Sequence, residues 1–347
     1  MNEPVMLKKF RKSFEIKMSP DGKYISHNGG SVNLIDTENY TLVANFRDIK
    51  YPNHLCYSYD SKLLAVKSTQ RKIAIYDLEN QKLINIYRLK RNSQPQDCGF
   101  CFTVDNKYIL NLVYTNELLG YISKIDIETF EEERFFEECT YAFESIQYVS
   151  ERKQYLISGF DRNKQVDKST SFIMWYTESD NLFELVDLDT QIQQMLYHNE
   201  TKTFIGWSLS GKDLIIFSNK YQVENKLNVV TDKQKTINSN NVLDESEGLK
   251  GFMEHEQSGT ADLGIKLNDL GIFTTNEEGY IRHICFSKNG KYLAIVLSEI
   301  VKIYEYPTLK FLNSISNRYT CYAEFAEDDK YLLIGTWENG FIYELNL

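Results

Sequence analysis

The sequence predicts an all-β chain closed into a ring of four-stranded blades, a β-propeller, on three observations. One turn-and-strand unit recurs from end to end, the composition favours strands, and the first residues resemble a strand missing from the last unit. The composition comes first: 24 Tyr and 20 Phe stand against 5 Pro. Aromatic side chains pack well on pleated surfaces, whereas Pro removes a ladder donor. A chain of 347 residues, 42% of them hydrophobic, can bury one large core or two ordinary ones, so the repeat must decide the domain count.

Each unit has an alternating apolar strand, a polar turn ending in Lys, a second alternating strand, and a third strand that closes on an apolar or aromatic residue. The turn recurs as Ser19-Pro20-Asp21-Gly22-Lys23, Tyr59-Asp60-Ser61-Lys62, Val104-Asp105-Asn106-Lys107 and Ser150-Glu151-Arg152-Lys153. It returns at Asn199-Glu200-Thr201-Lys202, Lys288-Asn289-Gly290-Lys291 and Glu327-Asp328-Asp329-Lys330. Asp, Asn, Gly and Ser suit such positions because they tolerate turn dihedrals or bond their own backbone.

The third strands close at Ile35-Asp36, Tyr76-Asp77, Ile125-Asp126, Trp175-Tyr176, Phe217-Ser218, Tyr304-Glu305 and Tyr343-Glu344. On these residues the chain resembles the WD-repeat family, in which the third strand ends in Trp-Asp and a Ser-Pro-Asp-Gly turn precedes the second strand. The Trp survives only at Trp175 and the Asp at Asp36, Asp77 and Asp126, and the Gly-His pair that opens a family repeat is absent. That departure removes the buried His-Asp network associated with the family and shifts the load to aromatic packing between blades. The resemblance implies a rigid scaffold that binds peptides or proteins on its face or rim.

Successive turn lysines fall 39 to 49 residues apart, except that Lys202 and Lys291 are 89 apart. Seven blades with an insertion are favoured, and an eighth, eroded blade is the alternative. The stretch from Asp232 to Asp262 holds 7 acidic and 3 basic residues and little alternation, so a polar insertion is placed at about 232–270 within a single domain spanning 1–347. The last unit stops after its third strand at Leu347, and Val5 to Phe10 supply the missing outer strand, which closes the ring and removes its free edges.

A net charge of −10 repels a phosphate backbone, so no nucleic-acid partner is expected. The N-terminus lacks a secretory pattern and no run approaches the ~18 apolar residues of a membrane span, so a soluble, cytoplasmic, monomeric protein is expected, with its 6 Cys reduced.

Few residues look chemical. Cys98-Gly99-Phe100-Cys101 has redox or zinc spacing, yet Cys56, Cys101 and Cys285 occupy one equivalent position in first strands, which favours packing. His54 and His283 also align and are expected to line the channel, well apart, together with Glu15 and Glu324. Glu131-Glu132-Glu133 and Glu137-Glu138 are read as solvated. There is no nucleophile elbow, phosphate loop or His-Glu-x-x-His helix, so neither catalysis, cofactor nor metal is expected. An enzyme built from several blades at the channel is the rival reading. Binding is expected where inter-blade connections gather: a basic arc of Arg318, Tyr319, Arg11, Arg47 and Arg91 faces an acidic arc of Glu137 and Asp189, and docks a protein or peptide of matching charge. A third reading is a modified-peptide cage of Tyr319, Tyr322 and Trp337.

Overall fold

The structure is a computed structural model that describes residues 3–90, 93–94, 99–115, 119–163, 171–208, 210–229, 233–236, 280–326 and 329–347. It contains seven antiparallel sheets, each a blade. Blade 1 runs Ile16–Met18, Tyr24–Asn28, Val32–Asp36 and Leu42–Phe46, and blade 2 runs Pro52–Tyr57, Leu63–Ser68, Lys72–Asp77 and Lys82–Arg88. Blade 3 is Phe100–Phe102, Tyr108–Thr115, Gly120–Asp126 and Glu132–Cys139, with Ser93–Gln94 also paired to its second strand. Blades 4, 5 and 6 open at Tyr141–Val149, Ile192–His198 and His283–Phe286. Blade 7 has Thr320–Ala326 inside, the hairpin Tyr331–Glu344 next, and Val5–Ser13 outermost.

The expected closure is present and longer than the sequence suggested. Val5 pairs with Glu344 and the register continues through Phe10 opposite Gly340 to Ser13 opposite Thr336. Gly335 makes room for the strand that follows: a Cβ there would lie 2.2 Å from the Phe14 carbonyl oxygen.

Seven hydrophobic clusters hold the ring, one at each seam. Blades 1 and 2 share Leu34, Leu55 and Tyr76, and blades 2 and 3 share Ile75 and Phe102. Blades 3 and 4 share Leu112 and Tyr176, and blades 4 and 5 share Trp175 and Phe204. Trp207 and Leu293 join blades 5 and 6 directly, so among the described residues no further blade separates them. Val301 with Phe325 and Phe10 with Ile25 complete the circle. Burying large aromatic side chains such as Trp175, Tyr176 and Phe172 is the main stabilising contribution, each worth a few kcal/mol, about 1.5–3 for a Phe-sized group.

The recurring polar turns have a common mechanism. Ser19, Ser58, Thr103 and Ser287 each donate a hydroxyl proton to the residue two positions on, Asp21, Asp60, Asp105 and Asn289, at 2.7–2.9 Å. Each hydroxyl also accepts the amide of the residue that starts the second strand, at 2.9 Å. Gly22, Ser61, Asn106, Gly290 and Asp329 then take left-handed dihedrals, which explains the Gly, Asn, Asp and Ser bias; in blades 4 and 5 the left-handed residue is instead the lysine, Lys153 or Lys202.

These turns also bond to one another around the ring. Asp21 N–H donates to Ser61 Oγ (3.0 Å), Tyr59 N–H to Asn106 Oδ1 (2.7 Å) and Val104 N–H to Tyr155 Oη (2.9 Å). Glu151 pairs with Lys202 at 3.2 Å, and His198 Nε2–H donates to the Gly290 carbonyl at 2.9 Å. Asp329 accepts both Lys288 N–H (2.6 Å) and Asn289 N–H (3.0 Å). The surviving repeat aspartates act locally, since Asp36, Asp77 and Asp126 accept the amides of the next turn, and those amides hold the Asp77 and Asp126 carboxyls below their ordinary range.

The segment expected to be a polar insertion begins with Lys233–Thr236, an antiparallel fifth strand on Val223–Asn228 at the outer edge of blade 5. Residues 237–279, including Lys250-Gly251-Phe252-Met253, lie outside the described residues, as does Cys98.

Candidate functional site

First strands surround the ring axis and run from the face of the inter-blade connections to the face of the polar turns. Aligned by register, they place two layers of residues at the channel. Glu15, His54, His283 and Tyr322 are equivalent in the layer nearer the connection face, and Lys17, Cys56, Cys285 and Glu324 are equivalent in the next.

Four consecutive blades, 6, 7, 1 and 2, thereby assemble one polar network. Lys17 Nζ is 3.3 Å from Glu15 Oε1, while Glu15 Oε2 is 3.1 Å from His54 Nδ1. Lys17 Nζ also lies 5.5 Å from the Tyr322 ring centre, and that ring stacks on His283 at 4.6 Å. Tyr322 donates its hydroxyl to Glu324, whose other oxygen accepts Met18 N–H at 3.4 Å. His54 and His283 are in separate blades as expected, but they are not independent, since Glu15, Lys17 and Tyr322 connect them.

Burial sets the charges within this network. It disfavours a charged Glu15, yet Lys17 and His54 outweigh that and hold the carboxyl below its ordinary range. Burial works against the Lys17 ammonium too, but Glu15 and Glu324 keep it protonated. Burial, then the nearby Lys17 charge, lowers His283 to about 4, so it is neutral near pH 7. Burial raises Glu324 against the opposing pull of Lys17, and it raises the thiols of Cys56, Cys101, Cys285 and Cys321. These thiols are free.

Above the channel, the connection face carries exposed cations and rings over blades 7, 1 and 2. Arg47 and Arg318 are exposed; Arg47 donates through Nε to Asn45, and Arg318 lies 5.2 Å over the Tyr319 ring. Tyr319 has φ 58°, and its carbonyl accepts Trp337 N–H at 3.1 Å. Trp337 is 54% exposed and meets Phe14 edge-on at 4.8 Å. Tyr51, 63% exposed with φ 55°, is the blade 2 equivalent of Tyr319. The sequence reading missed Tyr51, Phe14 and Lys17. The signal available was position: Lys12, Tyr51 and Tyr319 each precede a channel residue by three, and all three are left-handed.

Three expectations need revision. Arg11 is not in a connection but within the closing strand, opposite Asn339, and Arg91 lies outside the described residues. The cage residues have different surroundings, because Tyr322 is committed to His283 and Glu324 in the channel while Trp337 packs on Phe14. Glu132 is not solvated: its side chain is 10% exposed, paired with Arg134 and accepting the Ser123 hydroxyl at 2.6 Å. In the acidic arc Glu137 is exposed but pairs with Lys90 at 3.2 Å and Arg134 at 3.5 Å, and Asp189 is exposed.

No family model and no curated protein matches the chain. Among solved structures it is similar to the β-propeller domain of Cps50 (Swd1) from Myceliophteria thermophila. The match has a TM-score of 0.67 and 11% identity, and it covers 99% of this chain and 100% of that one. At that identity the likeness shows the fold: a β-propeller. No helix among the described residues is long and apolar enough to cross a membrane.

Proposed function

We propose that this chain is a degenerate WD-repeat propeller, one domain over 1–347 with an insertion at about 232–270, and that it works as a non-enzymatic scaffold. It binds a partner protein or peptide on its connection face and recruits it into a complex. The observation that carries this reading is the gathering of arginines and rings over three adjacent blades: exposed Arg47 and Arg318 with exposed Tyr51 and Trp337 and half-buried Tyr319, flanked by Arg11. Arg91 extends the arc in the sequence. Arginine and large aromatics are the side chains that most often carry binding energy at interfaces, and an acidic partner is steered by the cations.

Affinity purification with mass spectrometry identifies the partner, and the charge-reversed variant R47E/R318E combined with W337A tests the face. The expected result is at least about a tenfold loss of partner affinity with an unchanged fold. Unchanged partners and affinities would remove the connection face as the binding surface.

A further inference from the structure

The nine residues of the closing strand, Val5–Ser13, form an edge: they pair with the hairpin on one side and with no strand on the other among the described residues. This edge is unusual in charge. Lys8, Lys9, Arg11 and Lys12 fall within five positions, with no acid between residues 4 and 14, in a chain of net charge −10. None of the four forms an ion pair among the described residues. Lys8 lies over the Tyr40 ring at 5.5 Å and Lys9 over the Phe341 ring at 5.6 Å, so their ammonium groups flank the strand on its two sides. Next to them Val5 is 51%, Met6 52% and Leu7 40% exposed.

Exposed edges invite strand pairing, and proteins usually blunt them. Register shifts between Met6 and Lys8 and between Arg11 and Ser13 do this at the ends, leaving Lys8–Arg11 as four residues of regular ladder. The same molecule shows what such a stretch accepts: Lys233–Thr236, also four residues, adds antiparallel to the outer edge of blade 5. The outer strand of blade 3, by contrast, carries Glu132, Glu133 and Glu137, and that of blade 4 carries Glu184 and Asp187.

We propose that the closing strand is a docking edge that takes an acidic, extended peptide segment of a partner protein as a fifth antiparallel strand along Lys8–Arg11. Main-chain bonds supply the pairing and alternate side chains supply the choice of sequence. Antiparallel entry fixes the order. The residues opposite Arg11 and Lys9 are acidic and two apart, and the chain then continues toward its C-terminus with apolar residues beside Leu7, Met6 and Val5. The motif is acid-x-acid-x followed by aliphatic residues. This site runs along the outer strand of blade 7 and reaches the connection face only at Arg11, opposite Asn339, so the Pro peptide and the Lys9 substitution test it separately from Arg47 and Arg318.

The probe is a labelled peptide, Asp-Val-Glu-Thr-Leu-Val, titrated into the full chain, beside a peptide of equal charge with Pro at its second and fourth positions. Binding is expected to weaken at least about tenfold for the Pro peptide and for both K9E/R11E and K9Q/R11Q, while R47E/R318E stays within about twofold. Hydrogen exchange is expected to slow for amides of residues 8–11. Equal binding of the Pro peptide, indifference to the Lys9 and Arg11 variants, or protection elsewhere overturns the proposal. So does the opposite pattern with phosphatidylserine vesicles: sedimentation of the protein that depends on Lys9 and Arg11, with no peptide binding, would make the strand a membrane-contacting surface.

Discussion

Replacing Asp329 with Ala tests whether the bonds between neighbouring turns hold the blades in register. Asp329 is 6% exposed, and its two oxygens accept Lys288 N–H at 2.6 Å and Asn289 N–H at 3.0 Å from the preceding blade. A hydrogen bond to a charged group contributes about 1.5–3 kcal/mol, and removing the acceptor leaves two amide donors to find other partners. Asp329 also has φ 69°, where Ala is less tolerated by about 1 kcal/mol. The turn is close enough to the surface for water to replace part of the loss, so the expected cost of Asp329→Ala is about 3 kcal/mol. Asp329→Gly keeps the dihedral freedom and recovers about 1 kcal/mol of that, while Asp329→Asn, which keeps one acceptor, costs about 1–2 kcal/mol. Urea unfolding midpoints for the four proteins measure these differences, provided the slopes agree. A cost below about 0.5 kcal/mol for Asp329→Ala would show that the seams are held by apolar packing and that the turn bonds are incidental.

The closing seam is also expected to be acid-sensitive. His27 is 4% exposed, stacks on Phe10 of the closing strand at 4.9 Å, and is lowered by burial to about 4. Between that value and an unfolded value near 6.5 the unfolded chain binds more protons, so stability is full above about pH 6.5 and falls as pH drops toward 4, by up to about 3 kcal/mol. Urea midpoints at pH 7, 6 and 5 should show a shallower fall in His27→Gln than in the parent; parallel curves would clear His27 of the effect. Gly335→Ala places a Cβ 2.2 Å from the Phe14 carbonyl oxygen, a backbone atom, and is expected to destabilise by about 2 kcal/mol or more and to raise hydrogen exchange in Val5–Ser13. A fully stable variant with unchanged exchange contradicts the close packing of that junction.

The ring was legible because its information is local and repeated. Ser19 to Lys23 and its counterparts specify a turn within five residues, and the alternation after each turn specifies a half-buried strand. Val5 to Phe10 could be assigned to the last blade because a ring has one unpaired position to fill. The role of the surviving aspartates was not legible. Asp36 resembles the family residue in position, but with the opening His absent its Oδ1 accepts the Glu38 and Asn39 amides instead. Glu132 was misjudged for a related reason. A run of three glutamates looks solvated in one dimension, yet in a strand alternate residues face opposite sides, and the middle one meets Arg134 and Ser123.

The sequence by itself determined where each turn lies and which segment closes the circle, since those features depend on spacing along the chain, and it narrowed the ring to seven or eight blades; the packing of Trp207 on Leu293 decided for seven. Only the tertiary structure decided which side chains meet at the axis and on the connection face. Glu15 reaches His54 across 39 residues, and Met18 reaches Glu324 across 306. Whether such residues touch depends on the ring's radius and on the stagger of neighbouring first strands, which the packing of all seven seams sets together. Lys17 illustrates the difference. In the sequence it is one lysine in an amphipathic strand beside Glu15; in the ring, burial works against its charge, and Glu15, joined through closure by Glu324 of the last blade, holds that charge in place.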